Sequence, residues 1–167
     1  MSFRPAFTAL ALAFSLANVS AACAAPIAAP VAADKTAPAE GVTRIRSSHA
    51  FDETVARLKA AIATKGVRYF DAIDLQQLGK DASLPIGRST IVRFGNPPLG
   101  VQILQANRYA GLDWPVRMLV VEEADGSVWL AWNDFGFIAK RYGITTLEAQ
   151  FKMATEVAGS IAADAAN

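Results

Sequence analysis

Few side chains in this chain could do chemistry, and their spacing limits what that chemistry could be. His49 is the only histidine in 167 residues. A general base or a metal ligand is conceivable for it, but a catalytic metal normally takes about three protein ligands, and no second histidine accompanies it. It therefore reads as a residue at the start of a helix or on the surface. Asp71 and Asp74 could form a carboxylate pair, but on extended chain, at that spacing, they face opposite sides and read as turn residues. Glu122, Glu123 and Asp125 crowd a predicted hairpin tip, which suits a solvated turn and at best a weak site for a hard cation. No G-x-S-x-G elbow, Walker loop or dinucleotide fingerprint is present.

The segment Gly95-Asn96-Pro97-Pro98-Leu99-Gly100 is the leading site candidate. It reads as a loop, because two adjacent prolines end a strand ladder. A helix after it would start near Gly100 and Val101 and leave free N–H donors there, a natural place for an anion. Arg88 and Arg93 lie on the strand that feeds the loop, at odd spacing, so at most one of them can help. The site would then comprise Arg93, Asn96 and Gly100. The plainer reading is a rigid turn in which Asn96 satisfies backbone groups. Trp129 and Trp132 share one strand at odd spacing and face opposite ways. One of them belongs on the sheet face that helices leave open, near Trp114. Trp132, beside Asn133, is the candidate there, for an apolar ligand pocket or a dimer interface. A tryptophan packed under short inserted helices is the alternative. Asp74 and Asn133 complete the candidate set, with Asn96, Asp74 and Asn133 as the polar groups an enzyme would need.

The elements that would hold these residues follow from periodicity. Val42 to Ser48 alternates as a strand, and Phe51 to Lys65 reads as a helix with Phe51, Val55, Leu58 and Ile62 in one apolar stripe. Asp52 and Glu53 suit its first turn, and Gly66 suits its C-terminal stop. Val67 to Ile73 and Arg88 to Phe94 read as strands, separated by a short helix or turn at Asp74 to Ala82. Val101 to Asn107 reads as a short helix. Val116 to Glu123 and Ser127 to Asn133 form a hairpin around Ala124-Asp125-Gly126. A short helix near Phe135 to Tyr142 and a longer one from Thr146 to about Ala162, capped by Thr145 or Thr146, complete the order. Local hairpins without crossover helices exclude a doubly wound parallel sheet. The expected fold is α+β: an antiparallel sheet of about five strands with helices on one face.

The N-terminal residues carry an address. Arg4 supplies a positive start, Ala6 to Ala17 is uncharged and apolar, and small residues follow through Ala25. That is the layout of an export signal, too short to span a bilayer. Residues 1–24 read as the signal, 25–40 as an Ala/Pro-rich linker and 41–165 as one domain. Cys23, the single cysteine, is either inert near a cleavage site or the acylated residue of a lipoprotein. Ser20 stands where a lipobox usually has leucine, which favours the first. The domain itself then has no thiol chemistry. Of 16 Lys+Arg only Arg4 precedes residue 25, and all 15 Asp+Glu follow it, so a processed chain carries 16 − 1 = 15 basic and 15 acidic side chains. Zero net charge gives no pull toward nucleic acid or an anionic membrane.

The domain also resembles the domain-of-unknown-function 302 family. The resemblance rests on Phe51 to Leu58, Arg88-Ser89-Thr90, Phe94-Gly95-Asn96-Pro97, Leu112-Asp113-Trp114-Pro115 and Trp132-Asn133-Asp134, and runs from about Gly41 to Gly143. It implies a β-α-β4-α domain similar to the TATA-binding-protein-like architecture, and no assigned activity. Two departures stand out. Leu75 follows Asp74 where many members have histidine, and Gly100-Val101-Gln102-Ile103-Leu104 replaces a Gly-Thr-Pro-Leu-Met run. Any metal or acid-base role of that histidine is lost here. The expectation is a periplasmic or secreted, non-enzymatic module without a cofactor, with no transmembrane span after processing. Its partner would be an unknown small ligand or a periplasmic protein, or a second copy in a homodimer. An enzyme with a polar site near Gly95–Gly100 is the alternative.

Overall fold

The computed structural model describes residues 39–167; the expected export signal, Cys23 and all but the end of the linker lie outside them. Five strands form one sheet: β1 (Val42–Arg46), β2 (Arg68–Asp74), β3 (Ser89–Gly95), β4 (Val116–Glu122) and β5 (Val128–Asn133). Their order is β1-β5-β4-β3-β2, and every neighbouring pair is antiparallel. This is the expected α+β sheet. Strands β2 to β5 form a meander, and β1 closes the far edge against β5.

Helix α1 (Phe51–Thr64) carries the chain from one edge of the sheet to the other. Its apolar stripe is as the spacing predicts: Phe51, Leu58 and Ile62 are buried and Val55 is half-buried, with Asp52 and Glu53 in the first turn. It ends in a Schellman arrangement. The Gly66 N–H donates to the Ala63 carbonyl at 3.0 Å, and the Val67 N–H donates to the Ile62 carbonyl at 3.2 Å. Helix α5 (Glu148–Ala166) lies along α1, burying Phe151, Ala154, Ala158 and Ile161. The Arg57 guanidinium donates to the Asp164 and Ala165 carbonyls, and Ser48 donates its N–H and hydroxyl to the Ala166 carbonyl. The carbonyls that end a helix without partners are thereby satisfied. The core lies between these helices and one sheet face, with Val92, Phe94, Met118, Val120 and Leu130 at 0–1% exposure.

The hairpin forms as predicted. The Glu123 N–H donates to the Ser127 carbonyl, the Gly126 N–H donates to the Glu123 carbonyl, and Gly126 has a φ of 79°. Two expectations fail locally. The segment from Gly95 to Gly100 is not a loop, because α3 (Pro97–Ala106) starts at Pro97. Proline ends a ladder, but its missing N–H costs nothing in a first helical turn, where that donor has no partner anyway. Neither Thr145 nor Thr146 caps α5. Leu147 does, at a φ of 69° and without a side-chain cap.

Gly100 is needed for space rather than for backbone freedom. A Cβ there would overlap the indole of Trp114, which lies directly on the helix. At Gly66 the reverse holds: the φ is 64°, and nothing lies within 4 Å of an added Cβ. Gly66→Ala should therefore cost about 1–2 kcal/mol of left-handed backbone strain and leave the packing unchanged. Gly100→Ala should cost about 1–3 kcal/mol and also shift the Trp114 fluorescence. Urea unfolding with the emission spectra of both variants checks this.

Candidate functional site

Alternation along the strands sets one row of side chains against the helices and the other on an uncovered face. On β3, Val92 and Phe94 are buried while Ile91 and Arg93 are half-buried. Register places Leu119 and Ala131 beside Ile91, and Ile73 beyond it on β2. These four form an apolar band across the uncovered face. Leu75, the first residue of α2 (Leu75–Asp81), and Val42 stand at its sides, and Arg117 and Asn133 close one end. The hollow over Ile91, Leu119 and Ala131, to whose lining Trp132 also contributes, measures about 340 Å³, at the lower end of the range for small-ligand sites.

Two arginines stand side by side at that end, Arg93 on β3 and Arg117 on β4, directly paired in register. Like charges in such a pair repel unless something compensates. Arg93 is compensated by Asp71 on β2, to which it donates through Nε at 2.6 Å and through Nη2. This side-on pair holds the Asp71 carboxyl below its ordinary value and the Arg93 guanidinium above its own. Asp71 reaches that face only because β2 bulges. Tyr69 pairs with Phe94, yet Asp71 pairs with Arg93. Without the extra residue Asp71 would oppose Val92 and turn toward the core.

Arg117 is compensated by Asp113, the most consequential polar side chain in the domain. The Asp113 side chain is only 2% exposed. A buried carboxylate must be paired and hydrogen-bonded, and this one accepts four donors. To Oδ1 come Arg117 Nη2 at 2.7 Å and Asn133 Nδ2 at 2.9 Å. To Oδ2 come the Tyr142 hydroxyl at 2.6 Å and Arg141 Nη1 at 3.3 Å. The donors belong to β4, β5 and the end of α4 (Phe135–Arg141). Asp113 itself follows the short 3-10 turn Arg108–Leu112.

The residues that sequence reasoning singled out fall elsewhere in part. Arg93 and Asn133 border the uncovered face. Asn96 caps α3, its Oδ1 accepting the Leu99 N–H at 3.4 Å. Gly100 offers no free donor at a helix start, since its N–H donates to the Asn96 carbonyl at 2.9 Å. Arg93 and Asn96 therefore do not share an anion site. Asp74 caps α2, accepting the Gln77 N–H at 3.0 Å. Trp132 is 8% exposed on the core side, whereas Trp129 occupies the uncovered face with Arg44 4.3 Å above its ring. Trp132 thus packs its side chain into the core while still contributing to the lining of the hollow beside Asn133; odd spacing separates the two tryptophans but does not say which faces the core. Asn96 and Asn133 line hollows on opposite sides of the sheet, and Asp74 lines neither of these two. His49 Nδ1 lies 3.0 Å from Glu53, at the start of α1 as expected. Among the described residues no group of three His, Cys, Asp or Glu could hold a metal ion, and no helix is long and apolar enough to cross a membrane.

Known proteins place this arrangement. Residues 43–164 match the family described as Domain of unknown function DUF302. The chain belongs to that family. A DUF302 protein of Bacillus stearothermophilus, uncharacterised and known from its crystal structure, shares the fold with a TM-score of 0.69 at 15% identity. The likeness covers 76% of this chain and 99% of that one. The chain is also 34% identical over 104 residues to the fluoride-specific ion channel FluC 1 of Brucella suis, across 62% of its own length and 41% of the relative. The FluC 1 of Brucella abortus matches at 34% over 104 residues and 38% of its length. The chain thus spans about two fifths of these relatives. The DUF302 domain remains one of unknown function.

Sequence reasoning missed Asp113 and Tyr142 as a unit. Asp113 is visible in the sequence only as part of the Leu-Asp-Trp-Pro piece, and three of its four donors come from segments 20 to 29 residues away. Asp113→Ala should cost about 2–3 kcal/mol, since buried charged hydrogen bonds are lost while both arginines can turn to water. The bond to Asp113, reinforced by burial, raises the Tyr142 pKa above its ordinary 10.0. The fold thus favours the neutral phenol. That contribution is complete below the unfolded value and fades as the pH rises through the folded one. Stability should therefore fall above about pH 10, and Tyr142→Phe should flatten that slope in denaturant titrations at stepped pH.

Proposed function

We propose that this domain is a non-enzymatic binding module, working outside the cytoplasm, that takes a small amphipathic anion on its uncovered sheet face. The observation that carries the reading is the apolar band of Ile73, Ile91, Leu119 and Ala131, which ends at two arginines held in place by Asp71 and Asp113. An apolar floor with a few convergent polar groups suits a ligand with a hydrocarbon body and an acidic head. Arginine matches such a head, because its planar fork keeps further donors after one carboxylate is paired, and the single Asp113 carboxylate is shared by two guanidiniums, Arg117 and Arg141, which leaves one positive charge unbalanced at that end. Among the described residues, Arg117 donates to Asp113 through Nη2 alone.

The location outside the cytoplasm, periplasmic or secreted, is supported by the signal-like residues 1–24. An accessory role is supported by the Brucella relatives, in which the matched 104 residues are a minor part of proteins named as fluoride channels. The channel activity itself has no counterpart in the site described here. The separation of Asp74, Asn96 and Asn133 weighs against an enzyme.

Decanoate should raise the melting temperature by several degrees, since a ligand at a hundred times its Kd adds about 2.7 kcal/mol. Decanol should do much less, lacking the head group. Leu119→Glu, which sets a carboxylate on the floor without touching the core, should abolish the decanoate shift. Arg93→Gln should reduce it. A decanoate shift that persists in Leu119→Glu, or equal shifts from decanol and decanoate, would remove the sheet face from consideration.

A further inference from the structure

A second hollow lies on the other side of the sheet, under α5. It is a cleft of about 160 Å³ walled by Phe94, Leu99 and Trp114 on one side and by Ala154, Val157 and Ala158 on the other. The space exists for two reasons that the packing shows. On α5 the cleft-facing positions include Ala154 and Ala158, one turn apart and both buried. These small side chains stop short of the aromatic wall. On the facing wall, Trp114 packs back against Gly100 at a contact too close for any Cβ, which draws the indole toward α3 and away from the gap. The cleft is thus preformed.

Its size and lining narrow what it can hold. An apolar space of about 150 Å³ is large enough for a single benzene-sized ring, and this one opens to solvent at one end. At the mouth stand Lys65, paired with Asp164 at 3.0 Å, and Asn96, whose Oδ1 is engaged by the Leu99 N–H. Both have N–H donors left to offer. The Lys65 charge is balanced by Asp164, so the mouth does not call for a net anion; it calls for an acceptor oxygen.

We propose that this cleft is a binding site for a small ring compound carrying one acceptor oxygen, with the ring between Trp114 and the alanines of α5 and the oxygen toward Lys65 and Asn96. It is separate from the sheet-face site and does not depend on it. Asn96 would then serve twice, its oxygen capping α3 and its amide nitrogen meeting the ligand.

Acetophenone tests this, with ethylbenzene as the analogue that lacks the oxygen, by calorimetric titration of the full chain. The wild type should bind acetophenone saturably and more tightly than ethylbenzene. Val157→Phe, which fills the cleft, should weaken acetophenone roughly tenfold or more without lowering the melting temperature. Should phenylalanine not be accommodated, Val157→Leu adds a single methylene and should weaken binding less. Lys65→Met should weaken acetophenone and leave ethylbenzene unchanged. Leu119→Glu, on the opposite face, should bind acetophenone as the wild type does. Absence of saturable binding to the wild type overturns the proposal. So does full binding by a folded Val157→Phe, or loss of binding in Leu119→Glu. Equal acetophenone binding by Lys65→Met overturns the placement of the oxygen.

Discussion

A carboxylate taken out of water imposes conditions on everything around it. Asp113 is such a group, and the end of the sheet is organised to meet its demand for donors. The desolvation of one ion costs several kcal/mol unless nearby charges and hydrogen bonds offset it. Here the offset comes from Arg117, Asn133, Arg141 and Tyr142, drawn from segments separated by up to 29 residues from Asp113. Meeting it ties β4, β5 and the close of α4 to one point. The same act orients the groups that border the uncovered face, because a guanidinium held through one Nη cannot sweep freely across the sheet. Pre-orientation of this kind reduces the ordering cost that a ligand would otherwise bear.

Trp114 follows Asp113 in the chain and extends the same constraint to the opposite face. With Asp113 fixed, the indole is delivered onto Gly100 and becomes a wall of the cleft under α5. One short stretch, Asp113-Trp114, therefore bears on both hollows: its carboxylate sets the polar end of one, and its indole shapes the other.

How much of this could be read from residues alone depends on the range of the interaction. The α1 stripe, the stop at Gly66 and the hairpin at Gly126 are local, and each was legible because the signal and the structure span fewer than twenty residues. The start of α3 is local too, yet its residue types do not decide it. Asn96-Pro97-Pro98 fits both a turn and a capped helix start, and only burial of Leu99 and Ile103 decides between them. The orientation of Trp129 and Trp132 failed for another reason. Period-two alternation has two phases, and the phase is set by β4 and β1 on either side. Asp71 was illegible in principle from spacing. It faces Arg93 through a one-residue bulge, and a bulge reverses the facing of every residue beyond it. The Asp113 cluster required the fold itself.

The uncovered face is also where the domain is least defended against association, and the contrast with its edges is informative. An edge strand presents unpaired backbone groups that can recruit another chain, and natural sheets blunt such edges with charge, brevity or bulges. Both edges here are so treated. β1 has five residues, two of them arginines, and β2 is interrupted by its bulge. The face between them has no such treatment: Ile73, Ile91, Leu119 and Ala131 are all half-exposed and adjacent in register, and Val121 follows Leu119 on the same face of β4. A sheet protected at its rims but apolar at its centre is poorly suited to growing by strand addition and well suited to being covered from above. That geometry directs contact onto the face, where Arg93 and Arg117 favour an occupant that brings negative charge.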